Sequence, residues 1–165
     1  MTWTGPVHLD QSHTVEGFDC GDEVLNRWLA TRALSNQHGG SSRTWVVTDE
    51  AGRVVAFYAS STATVLHRDA SGRYRRNQPD PLPALLLGRL AVDRKHAGAG
   101  LGKALVKHFL LKAIEVAHLV GVRVLLVHAA SPEAVQYYER FGFEPSPVDD
   151  LTMMMLVKDL EISAS

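Results

Sequence analysis

Apolar residues dominate the stretch from Ala84 to Val92, which is followed by a polar turn, three alternating glycines and a long amphipathic segment. A nearly unbroken apolar run is typical of a central strand that is buried on both faces. From Leu101 to about Val120, polar residues recur along one side only, which predicts a helix that ends at Gly121. A second buried strand is predicted from Val122 to Val127, and the strand–helix–strand order makes it parallel to the first.

The rest of the pattern predicts further elements around this unit. Apolar residues at helical spacing follow Asp19, which can cap the helix, and continue to Leu34. Ser131 is the predicted cap of another helix. Residues 67–83 are polar and rich in arginine and proline, so we expect an ordered surface loop. Further strands are predicted at Val7 to Val15, Thr44 to Thr48, Val54 to Thr64 and Thr152 to Val157. This order indicates an α/β domain with a mixed sheet.

Composition limits the class of protein. With 165 residues, of which 45% are apolar and 21% charged, the chain is long enough to build its own core, and we expect residues 1–165 to form a single domain. The lone cysteine, Cys20, excludes internal disulfides and fits a reducing cytoplasm. Because no signal peptide or membrane-length apolar run is visible, we expect a cytoplasmic protein without a membrane partner.

Charge is segregated along the chain, although the formal net charge is only −1. Residues 68–103 contain eight Lys or Arg against three Asp, whereas residues 133–161 contain two basic residues against seven acidic ones. A basic stretch can attract polyphosphate even in a protein that is neutral as a whole. A solvated charged face is the alternative interpretation of the same pattern.

Gly98, Gly100 and Gly102 lie where the central strand meets the long helix. Glycine lets the backbone approach a ligand, and a helix N-terminus presents N–H groups with partial positive charge, so this turn is a candidate phosphate or pyrophosphate site. The dinucleotide fingerprint fails because Lys103 occupies the position of its last glycine, and the P-loop fails because Ala97 replaces its first. An ordinary glycine-containing connection remains the alternative.

Two motifs resemble those of the GNAT acetyltransferase superfamily. Its cofactor motif, Q/R-x-x-G-x-G/A, is matched by Gly100 and Gly102, whereas Ala97 replaces the Gln or Arg and removes one side-chain donor. Residues 134–143, Ala-x-x-Tyr-Tyr-Glu-Arg-Phe-Gly-Phe, resemble the A-x-x-F/Y-Y-x-x-x-G-F ending of these enzymes. In that pattern Tyr138 is the general acid that protonates the departing thiolate, a role open to a phenol because it is protonated at neutral pH. Without the resemblance, a core tyrosine would fit equally well.

The resemblance implies a single GNAT-like domain whose central mixed sheet has parallel strands splayed around the cofactor and helices on both faces. Acetyl-CoA is then the co-substrate, and the backbone at Leu90 and Val92 aligns the pantetheine and polarises the acetyl carbonyl. The eight histidines show no metal-ligand spacing, so no metal is expected. By resemblance, the cofactor-binding residues are Leu90, Ala91, Val92, Ala97, Gly98, Ala99, Gly100, Leu101, Gly102, Lys103, Ser131 and Tyr138.

Four further stretches follow one another along the chain: Phe18-x-Cys20-Gly21, Ser42-Arg43-Thr44, Arg75-Arg76-Asn77-x-Pro79-Asp80-Pro81 and Leu87-Gly88-Arg89-Leu90-Ala91-Val92. With them the chain from about residue 15 to 158 resembles the GNAT toxins of bacterial toxin–antitoxin pairs. This resemblance implies acetylation of the α-amine of aminoacyl-tRNA, arrest of translation, and neutralisation by an antitoxin with a ribbon–helix–helix DNA-binding part; it leaves a homodimer open.

Basic side chains are the candidates for holding the tRNA acceptor end. Arg75, Arg76 and Arg89 are the first choices, because Arg89 interrupts an apolar strand and the other two lie in the basic loop. The weaker candidates are Arg43, Arg73 and Lys95. For Arg73 and Arg75, a solvated surface loop is an equally good interpretation.

An α-amino group needs little help from a base, since it titrates near ~7.7–8.0 and is partly a free nucleophile at neutral pH. Positioning and a leaving-group acid are then the main requirements. His128 and Glu139 are the nearest base candidates, and the sequence reveals no partner that would orient either. Two alternatives stay open: a GNAT enzyme acting on a small amine or a protein N-terminus, and a non-catalytic module that keeps the cofactor fold.

Overall fold

A computed structural model describes residues 2–164, with side chains through residue 160. Within that range seven strands form one sheet in the order β1-β2-β3-β4-β5-β7-β6. The strands are β1 (Thr4–His8), β2 (Arg43–Thr48), β3 (Val54–Val65), β4 (Leu82–Val92), β5 (Val124–His128), β6 (Glu144–Pro145) and β7 (Thr152–Leu156). The helices are α1 (Glu23–Thr31), α2 (Ala33–His38), α3 (Gly72–Arg75), α4 (Leu101–Ala117), α5 (Pro132–Glu139) and α6 (Val157–Ala164).

The sheet is mixed, as predicted. β4 and β5 are parallel, with Ala84 opposite Val124 and Leu87 opposite Val127, whereas β5 pairs with β7 in antiparallel register. β1, β2 and β3 are also antiparallel neighbours. The parallel register ends at Leu87 although β4 continues to Val92, so the last residues of β4 run on past the paired segment.

The described chain divides into two compact units, each with its own apolar cluster. One unit comprises the residues up to Ser61 together with Arg89–Phe109, and its cluster includes Phe18, Trp28, Leu29 and Phe57. The other comprises Thr62–Gly88 and the residues from Leu110 onward, and its cluster includes Tyr74, Leu82, Leu126 and Met154. A single domain over the whole chain stays a prediction.

The first predicted helix is two helices. Asp22 caps α1, since its side chain accepts a hydrogen bond from the amide of Val24; the predicted cap, Asp19, lies outside the helix. Near the end of α1 the hydroxyl of Thr31 donates to the carbonyl oxygen of Arg27, a bond that competes with regular helix geometry. The chain then bends at Arg32, which joins α1 to α2.

Other boundaries also differ from the sequence pattern. The first strand ends at His8 instead of continuing toward residue 15, and a helical turn, α3, lies inside the predicted loop. The closing strand ends at Leu156, and Val157 begins α6. Met153, Met154 and Met155 of β7 are all buried. Since successive strand residues point to opposite faces of the sheet, both faces of this strand are covered. No helix within residues 2–164 is long and apolar enough to cross a membrane.

Candidate active site

The turn after β4 is anchored by Asp93, a buried carboxylate. Its two oxygens accept hydrogen bonds from the amides of Lys95, at 2.9 Å, and Asp19, at 3.1 Å. The amide of Asp93 itself donates to the carbonyl of Val55 at 2.8 Å. These bonds compensate for burying the carboxylate and fix the chain as it leaves β4. Sequence reasoning missed this role, because an Asp between a strand and a basic turn gives no local signal of its distant partners.

The predicted glycine turn is exposed and adopts backbone conformations that favour glycine. Gly98 and Gly100 have φ values of +81° and +86°, in the left-handed region. Gly102 lies instead in the first turn of α4, where the amide of Ala104 donates to the carbonyl of Gly100 at 3.0 Å. The first amides of a helix lack partners within it and carry partial positive charge. This geometry suits an anion, as the glycine spacing predicted.

The end of β4 carries three of the predicted cofactor-binding residues, Leu90, Ala91 and Val92. Ala91 is buried, whereas Leu90 and Val92 are half-buried. They lie beyond the last residue pair of β4 with β5. Their contact with the cofactor stays a prediction, as do the contacts of Ala97, Ala99, Leu101 and Lys103.

Arg89 is held against an aromatic ring. Its guanidinium carbon lies 4.3 Å from the centre of the Trp28 ring, and Trp28 stacks in turn on Phe57. Burial lowers the pKa of Arg89 from its ordinary value. The structure therefore explains how an arginine is accommodated in this apolar strand.

Tyr138 lies in α5, whose cap is Ser131: the Ser131 side chain accepts from the amide of Ala134 at 3.3 Å. The Tyr138 side chain is buried and its ring packs edge-on to Tyr137 and Phe143. A phenol is protonated at neutral pH at its ordinary pKa, and burial raises the pKa of Tyr138 well above that value. Tyr138 is therefore protonated, as a leaving-group acid must be.

The basic loop contains two kinds of arginine. Arg75 and Arg76 are exposed, and Arg75 donates to the backbone oxygen of His67 at 3.1 Å. Arg73 instead pairs with Glu144 at 3.0 Å and with Asp159 at 2.7 Å. Two acidic residues of the stretch 133–161 therefore neutralise the charge of Arg73 in the basic stretch 68–103. Arg73 is a weaker candidate for tRNA than the sequence suggested, whereas Arg75 and Arg76 remain available.

His128 has a partner that the sequence did not reveal. It is exposed at the end of β5, and its Nδ1 lies 3.3 Å from the hydroxyl oxygen of Thr152. That hydroxyl donates to Asp149 Oδ2 at 2.9 Å. The antiparallel register of β5 with β7 places Thr152 opposite His128. This register is set by the tertiary structure, so the sequence alone could not identify Thr152 as the partner. Among residues 2–160, no group of three His, Cys, Asp or Glu side chains is arranged to hold a metal.

Known proteins resemble this chain over most of its length. The family model described as Acetyltransferase (GNAT) domain matches residues 40–145. The tRNA-acetylating toxin of Mycobacterium tuberculosis is 45% identical over 157 residues, which cover 95% of this chain and 94% of the relative. Both similarities are similarities of amino-acid sequence.

Solved structures share the fold. AtaT complexed with acetyl-methionyl-tRNAfMet matches with a TM-score of 0.88 at 24% identity, covering 99% of both chains. A mutant of the AtaT toxin, bound to the C-terminus of the antitoxin AtaR and to acetyl-CoA, matches with a TM-score of 0.82 at 24% identity, covering 99% of this chain and 98% of the other. These likenesses confirm the predicted α/β fold class. With the family match and the curated relative, they establish that this chain belongs to the GNAT acetyltransferases.

Proposed function

We propose that this protein transfers the acetyl group of acetyl-CoA to the α-amine of aminoacyl-tRNA and so blocks translation, as the toxin of a toxin–antitoxin pair. The observation that carries this proposal is the 45% identity, over 95% of the chain, to a tRNA-acetylating toxin. The AtaT structures with the same fold contain acetyl-methionyl-tRNA in one case and acetyl-CoA with an antitoxin segment in the other.

Acetyl-CoA binds, in this proposal, with its pyrophosphate on the turn formed by residues 97–103. The left-handed conformations at Gly98 and Gly100 and the start of α4 at Leu101 support an anion there. The backbone of Leu90 and Val92 aligns the pantetheine, with Ala91 between them, and Ser131 completes the set of cofactor residues. The chemistry uses acetyl-CoA as co-substrate and requires no metal.

The reaction proceeds by direct attack of the amine on the thioester in a ternary complex. As the C–S bond breaks, Tyr138 donates its proton to the departing thiolate. A phenol is protonated at neutral pH at its ordinary pKa, and this protonation supports the role of Tyr138. Burial raises that pKa further and so makes the phenol a weaker acid than a free one. The departing thiolate is a stronger base than a carboxylate and receives this proton as it leaves.

The tRNA acceptor end is held, we propose, by Arg75, Arg76 and Arg89. Arg75 and Arg76 are exposed in the basic loop, and Arg89 is oriented by its contact with Trp28. Contacts with phosphate make binding strongly dependent on salt.

An antitoxin with a ribbon–helix–helix DNA-binding part neutralises the enzyme in this proposal, and a homodimer is compatible with it. Because aminoacyl-tRNA is its substrate, we place the protein in the cytoplasm.

Incubation of the purified protein with labelled acetyl-CoA and total aminoacyl-tRNA tests the proposal. We expect label on the aminoacyl group, released by mild alkaline hydrolysis as N-acetyl amino acid. Turnover on a small amine or a protein N-terminus without labelling of tRNA would support the alternative GNAT activity instead. Failure to bind acetyl-CoA would show a non-catalytic module.

A further inference from the structure

His128, Thr152 and Asp149 form a hydrogen-bonded chain at the carboxyl end of β5. Thr152 lies opposite His128 in the antiparallel register of β5 with β7. Its hydroxyl oxygen is 2.9 Å from Asp149 Oδ2 and 3.3 Å from His128 Nδ1. The three side chains are therefore ordered as imidazole, hydroxyl and carboxylate.

The direction of these hydrogen bonds determines which imidazole nitrogen is protonated. Hydrogen bonds from the amide of Leu151 and the hydroxyl of Thr152 lower the pKa of Asp149, so its carboxylate is ionised and can only accept. Thr152 must use its single proton on Asp149, and its oxygen then accepts from His128 Nδ1–H. A neutral imidazole with its proton on Nδ1 has a free lone pair on Nε2. That nitrogen can accept a proton.

The position of His128 in the fold suits a role in the reaction. In α/β folds, ligands bind at the carboxyl ends of the parallel strands, and His128 is the last residue of β5. The helix that carries Tyr138 begins only four residues later, at Pro132. His128 is exposed, so a substrate can reach it.

We propose that His128 is the general base that takes the proton from the α-ammonium group of the aminoacyl-tRNA, with Thr152 and Asp149 as its positioning residues. This inference rests on the proposed function and adds a base to it. The ammonium group gives one proton to His128 Nε2, and the freed nitrogen lone pair forms the C–N bond to the acetyl carbonyl. The C–S bond breaks and Tyr138 protonates the thiolate. The second ammonium proton returns through solvent to the Tyr138 phenolate and His128 releases its proton to solvent, so one proton is released per turnover.

The pH dependence of a His128→Ala variant separates a base from a structural residue. An α-amine with a pKa near ~7.7 is about 6% free at pH 6.5 and almost entirely free at pH 9. We therefore expect kcat of the variant to be roughly tenfold below wild type at pH 6.5 and to approach wild type at pH 9. A loss of equal size at both pH values, or no loss at either, overturns the inference. An exposed histidine at the end of α2 supplies the matched control, and His38→Ala should follow the wild-type profile throughout.

Two substitutions at Thr152 test the positioning role. Thr152→Val keeps a β-branched side chain but removes the hydroxyl, and we expect it to reproduce part of the loss of kcat at pH 6.5 with an unchanged KM for acetyl-CoA. Thr152→Ser keeps the hydroxyl and should restore activity. Equal activity of the two variants contradicts the role of the hydroxyl.

The tautomer of His128 can be measured without turnover. In ¹⁵N-labelled protein, long-range ¹H–¹⁵N correlation spectra distinguish Nδ1–H from Nε2–H in a neutral imidazole. We expect the Nδ1–H form in wild type and its loss in Thr152→Val, and an Nε2–H form in wild type would overturn the inference even if no substrate were known. If wild type fails to acetylate aminoacyl-tRNA, the proposed function falls; if wild type acetylates and the variants match it, only the base is wrong.

Discussion

The guanidinium group of Arg89 lies over the face of the Trp28 ring, with 4.3 Å between the guanidinium carbon and the ring centre. Such a contact stabilises by about 0.5–1 kcal/mol at an exposed site and more where water is excluded. Trp28 is itself buried and stacked on Phe57, so the contact ties a charged side chain of β4 to the apolar cluster of its unit. A side chain held in this way is already oriented before a ligand binds.

Arg89→Met should weaken tRNA binding while leaving the fold intact. Methionine keeps an unbranched, polarisable chain against Trp28 but removes the positive charge. We expect the free energy of unfolding to fall by no more than about 2 kcal/mol, the upper range of a partly buried cation–π contact. Denaturant titration and filter binding of aminoacyl-tRNA measure the two effects. Unchanged tRNA affinity would show that Arg89 serves the apolar cluster alone.

Removing Arg75 and Arg76 together should reduce the salt dependence of tRNA binding. Each lost phosphate contact lowers the slope of log K against log salt by about 0.7–0.9, so we expect a decrease of roughly 1.5 for the double change to Gln. Arg73→Gln is the matched control, because Glu144 and Asp159 already neutralise that charge. If Arg73→Gln reduced the salt slope as much as Arg75→Gln alone, the distinction between ion-paired Arg73 and exposed Arg75 would be wrong.

Tyr138→Phe should abolish most of the acetyl transfer and leave acetyl-CoA affinity within about twofold of wild type. Phenylalanine retains the buried ring and its edge-on packing with Phe143, but it has no proton for the thiolate. Single-turnover kinetics and calorimetric titration with acetyl-CoA separate the two effects. Turnover at the wild-type rate would remove Tyr138 from the mechanism.

Gly100→Ala should lower the affinity for acetyl-CoA. A methyl group at Gly100 meets no atom within 4 Å, but the φ of +86° costs an L-residue about 1–2 kcal/mol, so the turn shifts away from this conformation. Gly121→Ala is the control, because that position is equally open and its φ lies outside the left-handed region. Calorimetric titration should show about a tenfold weaker Kd for Gly100→Ala only. Equal affinities for the two variants would argue against a backbone cradle at residue 100.

The protein should lose stability above about pH 10. Burial is the largest cause of the raised pKa of Tyr58, Tyr74 and Tyr138, so each phenol ionises at a lower pH in the unfolded chain than in the folded one. The stabilisation is complete below the pKa of an unfolded tyrosine and is lost as the pH rises toward the folded values. Tyrosinate absorbance followed with circular dichroism should show ionisation and unfolding together; ionisation of all four tyrosines at pH 10 in a folded protein would contradict it.

Local patterns were sufficient for the main elements of the fold. The apolar run of β4, the amphipathic pattern of α4 and the cap at Ser131 each depend on neighbours in the chain, and each was predicted close to its observed place. The same patterns did not predict the bend at Arg32 or the short helix α3, because both depend on a few competing hydrogen bonds. Periodicity determines the ends of helices and strands least well, because a single hydrogen bond of the backbone or of a side chain can shift an end by one or two residues.

The sequence by itself determined the family, the glycine turn and the tyrosine in α5, since these are contiguous motifs whose chemistry depends on residue type and spacing. Only the tertiary structure decided what the charged groups do: it paired Arg73 with two carboxylates, placed Arg89 on Trp28, and linked His128 through Thr152 to Asp149. The reason is physical. Propensity and periodicity act over a few residues, whereas hydrogen bonds and ion pairs form between any groups that folding brings within about 3 Å of each other.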